Sequence, residues 1–107
     1  MIAWDRVNEL RSEIGDDDFA EVVVMFLEEA DEVIARISTA AGAKVLESDL
    51  HFLKGAALNL GFGEFAGLCQ DGERRAAGGD TNVDLDRVCS SYQASKLALE
   101  AGQAVAV

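Results

Sequence analysis

The chain holds one histidine, His51, and the residues after it are spaced for chemistry at an imidazole. Lys54 follows three positions later, Gly55 four and Leu58 seven, so on a helix all three stand within two turns of the ring. A neutral imidazole keeps a lone pair on one ring nitrogen and can act as a nucleophile. A lysine one turn away offsets negative charge arriving there. At about 4 Å and an effective dielectric near 20 that attraction is of order 4 kcal/mol before desolvation, and much less when exposed, so Lys54 is expected to help rather than to be required. The plain alternatives are a solvated surface histidine and a solvated helix lysine.

The direction of His51 follows from its neighbours. Leu46, Leu50, Leu53, Ala57 and Leu60 recur at steps of four, three, four and three, the mark of one buried stripe on a helix. At about 100° per residue these five positions span roughly 80° of arc, and His51 falls about 140° from their centre. It is therefore expected to face solvent, with Lys54 and Gly55 beside it on the same outer face and Leu58 pointing outward beyond them. A glycine inside a helix costs about 1 kcal/mol relative to alanine. Alanine is accepted at the next two positions, Ala56 and Ala57. The outward direction of Gly55 argues against a close helix–helix contact. It favours a site where another molecule approaches the backbone.

Several other chemistries lack their residues. No glycine-rich nucleotide loop is present, so the chain is not expected to use ATP itself. A second histidine for a two-histidine metal site is missing, as are the Glu-x-x-His pairs of di-iron bundles. No motif orients a serine or cysteine nucleophile against His51. What remains is nucleophilic chemistry at the histidine itself.

The segment His51-Phe52-Leu53-Lys54-Gly55-Ala56-Ala57-Leu58-Asn59-Leu60-Gly61 resembles the H-x-L-K-G-(S/A)-(S/A)-x-x-x-G signature of histidine-containing phosphotransfer (HPt) domains. Chain length and helix order agree, so the resemblance covers nearly all of the chain. It implies a helical bundle that carries a phosphoryl group on His51 between aspartates of receiver domains in a two-component phosphorelay. Lys54 would neighbour the phosphate, and the face of His51, Gly55 and Leu58 would dock response-regulator receiver domains or a hybrid histidine kinase containing one. The partner would supply the acyl phosphate and the metal, so no cofactor and no metal site are expected here.

One position departs from the family pattern. Many members carry a glutamine 22 residues after the histidine, hydrogen-bonded near the imidazole; here that residue is Glu73. A carboxylate accepts from a ring N–H but cannot donate to a phosphoryl oxygen. Gln70 and Arg74 are near enough in sequence to share that duty. Glu73 lies about 80° from the centre of its own helix's inward stripe, a boundary position from which it leans toward His51 or into water. If it reaches the ring it engages one nitrogen, leaves the other as the nucleophile, and repels an arriving phosphoryl group.

The elements that hold this segment can be read from the rest of the chain, which has no proline. Trp4, Val7, Leu10 and Ile14 predict a short first helix stopped by Gly15. Asp18 with Glu21 resembles a capping box for the second helix, and Asp16, Asp17 and Asp18 complement its positive end more readily than they hold a metal. Phe19, Val23, Phe26, Ala30, Val33 and Ile37 give that helix its inward stripe, with Glu21, Glu28, Asp31, Glu32 and Arg36 on the solvated side and a break at Gly42. The third helix runs over about 44–60 and carries the histidine. Gly61-Phe62-Gly63 makes a tight turn, with Gly61 suited to a left-handed cap. A fourth helix from about residue 64 turns Phe65, Leu68, Cys69, Gly72 and Ala76 inward. After the loop at 77–80, Thr81 with Asp84 is expected to cap a last helix with Leu85, Val88, Tyr92, Ser95 and Leu99 inward. The tail at 103–107 is expected to fray.

These elements predict an all-α fold: an antiparallel up-down-up-down four-helix bundle with a short additional N-terminal helix, as one domain over residues 1–107. A chain of 107 residues supports one such core. The net charge of −11 disfavours nucleic acid and anionic membrane surfaces as partners. No apolar run of 18 residues and no basic-then-apolar leader is present, and Cys69 and Cys89 read as reduced, packed thiols. A cytoplasmic monomer is expected. The rival reading is a non-catalytic acidic helical module that binds and sequesters a partner protein. A histidine-kinase dimer remnant would need a nucleotide domain, for which no motif is present.

Overall fold

A computed structural model describes residues 2–39 and 42–105, the last three by backbone alone. Five α-helices account for most of them: α1 (Trp4–Ile14), α2 (Asp16–Arg36), α3 (Ala43–Leu60), α4 (Gly63–Ala77) and α5 (Leu85–Val105). A 3-10 turn, Ile37–Thr39, extends α2. Among the described residues there is no strand, only an isolated antiparallel bridge between Ile2 and Phe62. The molecule measures 44 × 21 × 21 Å, elongated as packed helices of this length require.

The core is continuous, and α3 sits at its centre. It packs most extensively on α4 and also touches α2 and α1. Its five predicted stripe residues are all buried, and Asp49 and Ala56 join them. The buried arc is thus wider than the five leucines and alanines indicate, because α3 is covered along one edge by α4 and along the other by α2. Asp49, at the α2 edge, accepts a hydrogen bond from Arg36 Nη2 at 3.1 Å.

The turn between α3 and α4 is short because Gly61 closes it. Gly61 adopts φ 73°, ψ 22°, and both its N–H and that of Phe62 donate to the carbonyl of Ala57, which satisfies the end of α3. A Cβ at Gly61 would also lie 2.7 Å from the carbonyl oxygen of Ala3. That carbonyl belongs to the segment leading into α1, whose Ala3 N–H donates to Gly61 O at 2.7 Å. Residues 2–3 are therefore clipped to the α3–α4 turn.

Several local expectations are corrected. The Asp18–Glu21 capping box does not form: α2 begins two residues earlier at Asp16, behind Gly15 with φ 84°, and no side chain caps it. The three aspartates instead lie in the first turn, where their charge meets the helix's positive end. Leu27, not Phe26, takes the buried place in α2; Phe26 is half-buried. The predicted stripe resumes at Ala30 and Val33, so the exchange is local: Leu27 lies on the flank where its carbonyl meets the Tyr92 hydroxyl of α5. Thr81 does not cap α5. Asp84 does, its Oδ1 accepting from the Arg87 N–H at 3.1 Å, because residues 81–85 form tight turns that bring α5 in at Leu85. Trp4 is partly exposed, its ring lying on Gly102 of α5, where a Cβ would overlap it. The expected fraying at 103–107 falls on residues whose side chains, and at 106–107 whose backbone, lie outside the described residues.

Candidate functional site

His51 stands on α3 with its side chain 70% exposed. The inward leucines of α3 fix that direction, since Leu50 and Leu53 on either side of it are fully buried. Across the seam, α4 comes close enough to reach it because position 72 is a glycine. A Cβ there would lie 2.8 Å from Leu50 Cδ1 and 3.0 Å from Val83 Cγ1. The next residue, Glu73, then meets the imidazole, with His51 Nδ1 2.7 Å from Glu73 Oε1. The second carboxylate oxygen lies 2.9 Å from Lys54 Nζ.

Glu73 is only 19% exposed, yet it is held below the usual carboxylate range. The Lys54 ammonium is the main cause; burial opposes it, and the His51 hydrogen bond adds to the lowering. An ionised carboxylate only accepts, so the hydrogen of this contact sits on Nδ1 of the ring. In the neutral imidazole the lone pair is then on Nε2, which has no protein partner among the described residues. The arrangement holds one ring nitrogen and leaves the other free at the surface.

Lys54 stands differently from the sequence expectation. It does not share the open face with His51 but lies at the α4 edge, 26% exposed and paired with Glu73. The reason is angular: position 54 is about 80° from the centre of the buried stripe, whereas position 51 is about 140° away. Gln70 and Arg74, considered as stand-ins for the missing glutamine, are exposed and make no hydrogen bond to His51. With Glu47, Lys54, Glu73 and Ala77 they line a polar cleft of about 260 Å³ beside the site.

Gly55 is exposed, and a Cβ there would meet nothing within 4 Å. Among the described residues, no close contact requires a glycine at that position. Its carbonyl accepts from Asn59 Nδ2 at 3.1 Å, and Asn59 Oδ1 accepts from Arg6 Nη2 of α1 at 3.2 Å. Leu58 is 57% exposed, one turn beyond Gly55. Sequence reasoning missed Phe52, which is also exposed and flanks the histidine on the α2 side. Its position about 120° from the stripe centre was the available signal. The part played by Asn59 and Arg6 had none, since their contact joins residues 53 apart. Cys69, one turn before Glu73, is buried with its thiol pushed up to about 12, by burial above all, and is no nucleophile at neutral pH.

No helix among the described residues is long and apolar enough to cross a membrane. No curated protein and no solved structure matches the chain. The family model described as Hpt domain does match, over residues 21–103, most of the chain and all of the α3–α4 seam that holds His51, Lys54 and Glu73. The chain therefore belongs to the Hpt domain family, the histidine-phosphotransfer modules of phosphorelays.

Proposed function

We propose that the protein is an intermediate carrier in a histidine–aspartate phosphorelay, with His51 as the residue that takes and returns the phosphoryl group. The observation that carries this reading is the exposed imidazole held at Nδ1 by Glu73 and free at Nε2. The Nε2 lone pair attacks the phosphorus of a receiver's aspartyl phosphate. The N–P bond forms as the P–O bond to the carboxyl group breaks, and the aspartate carboxylate leaves with the electron pair. Nδ1 keeps its hydrogen, so the phosphorylated ring is cationic and faces the Glu73 carboxylate. Transfer to the next aspartate runs the same steps in reverse.

The supporting residues take distinct roles. Glu73 is a positioning residue that fixes the tautomer. Lys54 holds Glu73 ionised and meets the phosphoryl group only by sharing itself with that carboxylate. Gly55 gives the partner room to approach, and Leu58 with Phe52 supplies apolar contact around it. The partners are receiver domains, free or within a hybrid histidine kinase. The chain itself is a phosphocarrier without a nucleotide site. We further propose that helices α2–α5 form an antiparallel up-down-up-down bundle with α1 as the additional helix. The whole chain would then be one domain and act as a cytoplasmic monomer.

The test is incubation with phosphorylated receiver domains from the protein's own source. The expected product is an acid-labile, base-stable phosphoprotein, absent in His51→Gln. Equal labelling of His51→Gln would favour the acidic partner-binding module instead.

A further inference from the structure

At the far end of the His51 face lies an apolar pocket of about 330 Å³, lined by Ala3, Arg6, Ala57, Leu58, Gly61 and Gly63. One wall, Ala3 and Arg6, comes from α1 and the segment before it, which lie outside the residues matched by the family model. Several polar groups around it are already committed. Gly61 O accepts from Ala3 N and Gly63 N, and the Ala57 carbonyl takes two turn N–H groups. Arg6 directs one guanidinium nitrogen to Glu9 Oε1 at 2.8 Å and another to Asn59 Oδ1 at 3.2 Å. What the pocket offers an occupant is mainly hydrocarbon and glycine backbone, with the Arg6 guanidinium at its edge engaged by Glu9 and Asn59.

Leu58 belongs both to this pocket and to the open face of His51 and Gly55. Seven residues of helix separate His51 from Leu58, about 10 Å along the axis. A standard interface covers about 800 Å² per partner, a patch roughly 28 Å across. A protein seated over His51 therefore reaches Leu58 and the near rim of the pocket, from which one of its side chains can enter.

We propose that this pocket receives one large apolar side chain of the receiver domain that docks over His51, and that the clipped N-terminal segment thereby selects among receivers. The proposal rests on the phosphocarrier reading and adds a specificity element to it. Charge favours no particular occupant here, so selection works by shape and apolar area, the kind of contact that anchors an interface.

Two substitutions fill the pocket from opposite walls. A Cβ at Gly63 meets nothing within 4 Å and its φ is not positive, so Gly63→Leu extends into open space. Ala3 is exposed, and Ala3→Leu enters from the other side. The experiment measures phosphotransfer from the receiver domain that exchanges fastest with the parent protein, alongside the thermal melt of each variant. Losing burial of one large apolar side chain corresponds to about a ten- to hundredfold rise in KM with little change in kcat. That rise in both folded variants supports the proposal. A parent-like KM in either folded variant overturns it, and so does a change in self-association with KM unmoved. Transfer by His51→Gln, or a parent that exchanges with no receiver, would instead defeat the phosphocarrier reading itself, whatever the pocket variants do.

Discussion

Two carboxylates tie helices together in this molecule with nearly the same pattern and opposite consequences. Asp31 of α2 accepts from the Tyr92 hydroxyl at 2.6 Å and lies 2.9 Å from Lys96 Nζ, both on α5. Glu73 of α4 meets a His51 ring nitrogen at 2.7 Å and Lys54 Nζ at 2.9 Å, both on α3. Each carboxylate thus takes an aromatic-ring group on one oxygen and a lysine on the other. At Asp31 the ring is sealed. Tyr92 is 1% exposed, packs against Phe62 and Phe65 at centroid distances of 6.4 and 5.3 Å, and places its hydroxyl 3.3 Å from the Leu27 carbonyl as well. Burial first, and the bond to Asp31 second, push the Tyr92 hydroxyl's pKa up. Burial opposes ionisation of Asp31 too, but Tyr92 and Lys96 together hold its carboxyl below the usual range. At Glu73 the ring faces water and keeps one nitrogen free. One motif of three groups gives a structural clamp where every atom is spoken for, and a reactive group where one atom is not.

The comparison breaks most sharply at the rings themselves. His51→Gln should abolish labelling by phosphorylated receiver domains while changing unfolding free energy by no more than about 0.5 kcal/mol, as for an exposed substitution. Urea denaturation and phosphotransfer on the same sample check both halves. Tyr92→Phe should do the reverse. It leaves Asp31 and its surroundings short of a donor and should cost about 1–3 kcal/mol of stability, with transfer unchanged at temperatures where the variant is folded. If Tyr92→Phe lowered transfer in the folded protein, the division between clamp and site would be wrong.

Smaller effects sharpen the picture. Gly55→Gln should hold or raise stability by up to about 1 kcal/mol, because the glycine's entropy cost is removed and the site is open. Transfer should slow by roughly tenfold, the equivalent of about 1.4 kcal/mol lost from a docked complex. Parent-like transfer with a parent-like melt would remove the argument for Gly55. Glu73→Gln should have the mildest effect on the chemistry. It removes both the repulsion between Glu73 and the phosphoryl group and the carboxylate's attraction for the cationic ring, so the phosphohistidine lifetime should change by no more than a few times. Two-dimensional NMR of the ring nitrogens should still show hydrogen on Nδ1, since an amide oxygen also accepts.

The same substitution carries a pH signature. Glu73's folded-state pKa is lowered, so its stabilisation is fully present above the ordinary glutamate value of about 4.3 and is lost as pH falls through the lower, folded value. The stability gap between the parent and Glu73→Gln should therefore be widest near pH 6–8 and close on acidification below about pH 4. A gap that widened in acid would contradict the assignment.

The amino-acid sequence by itself determined the helices, the buried stripe of α3 and the outward direction of His51. Those follow from a fixed turn of about 100° per residue, which any short stretch reveals without knowledge of its neighbours. The αL glycine at 61 was legible for the same reason, because a turn's backbone angles are a local property. Tertiary structure decided the rest. Which of Phe26 and Leu27 is buried depends on where the other helices lie against α2. Whether Glu73 reaches His51, and whether Lys54 is free or paired, depended on how closely α4 approaches α3, which the missing side chain of Gly72 permits. The clip of residues 2–3 onto the α3–α4 turn, and the pocket it encloses, join positions about sixty residues apart. Nothing in a local period encodes such a contact; it exists only once the core has brought the two segments together.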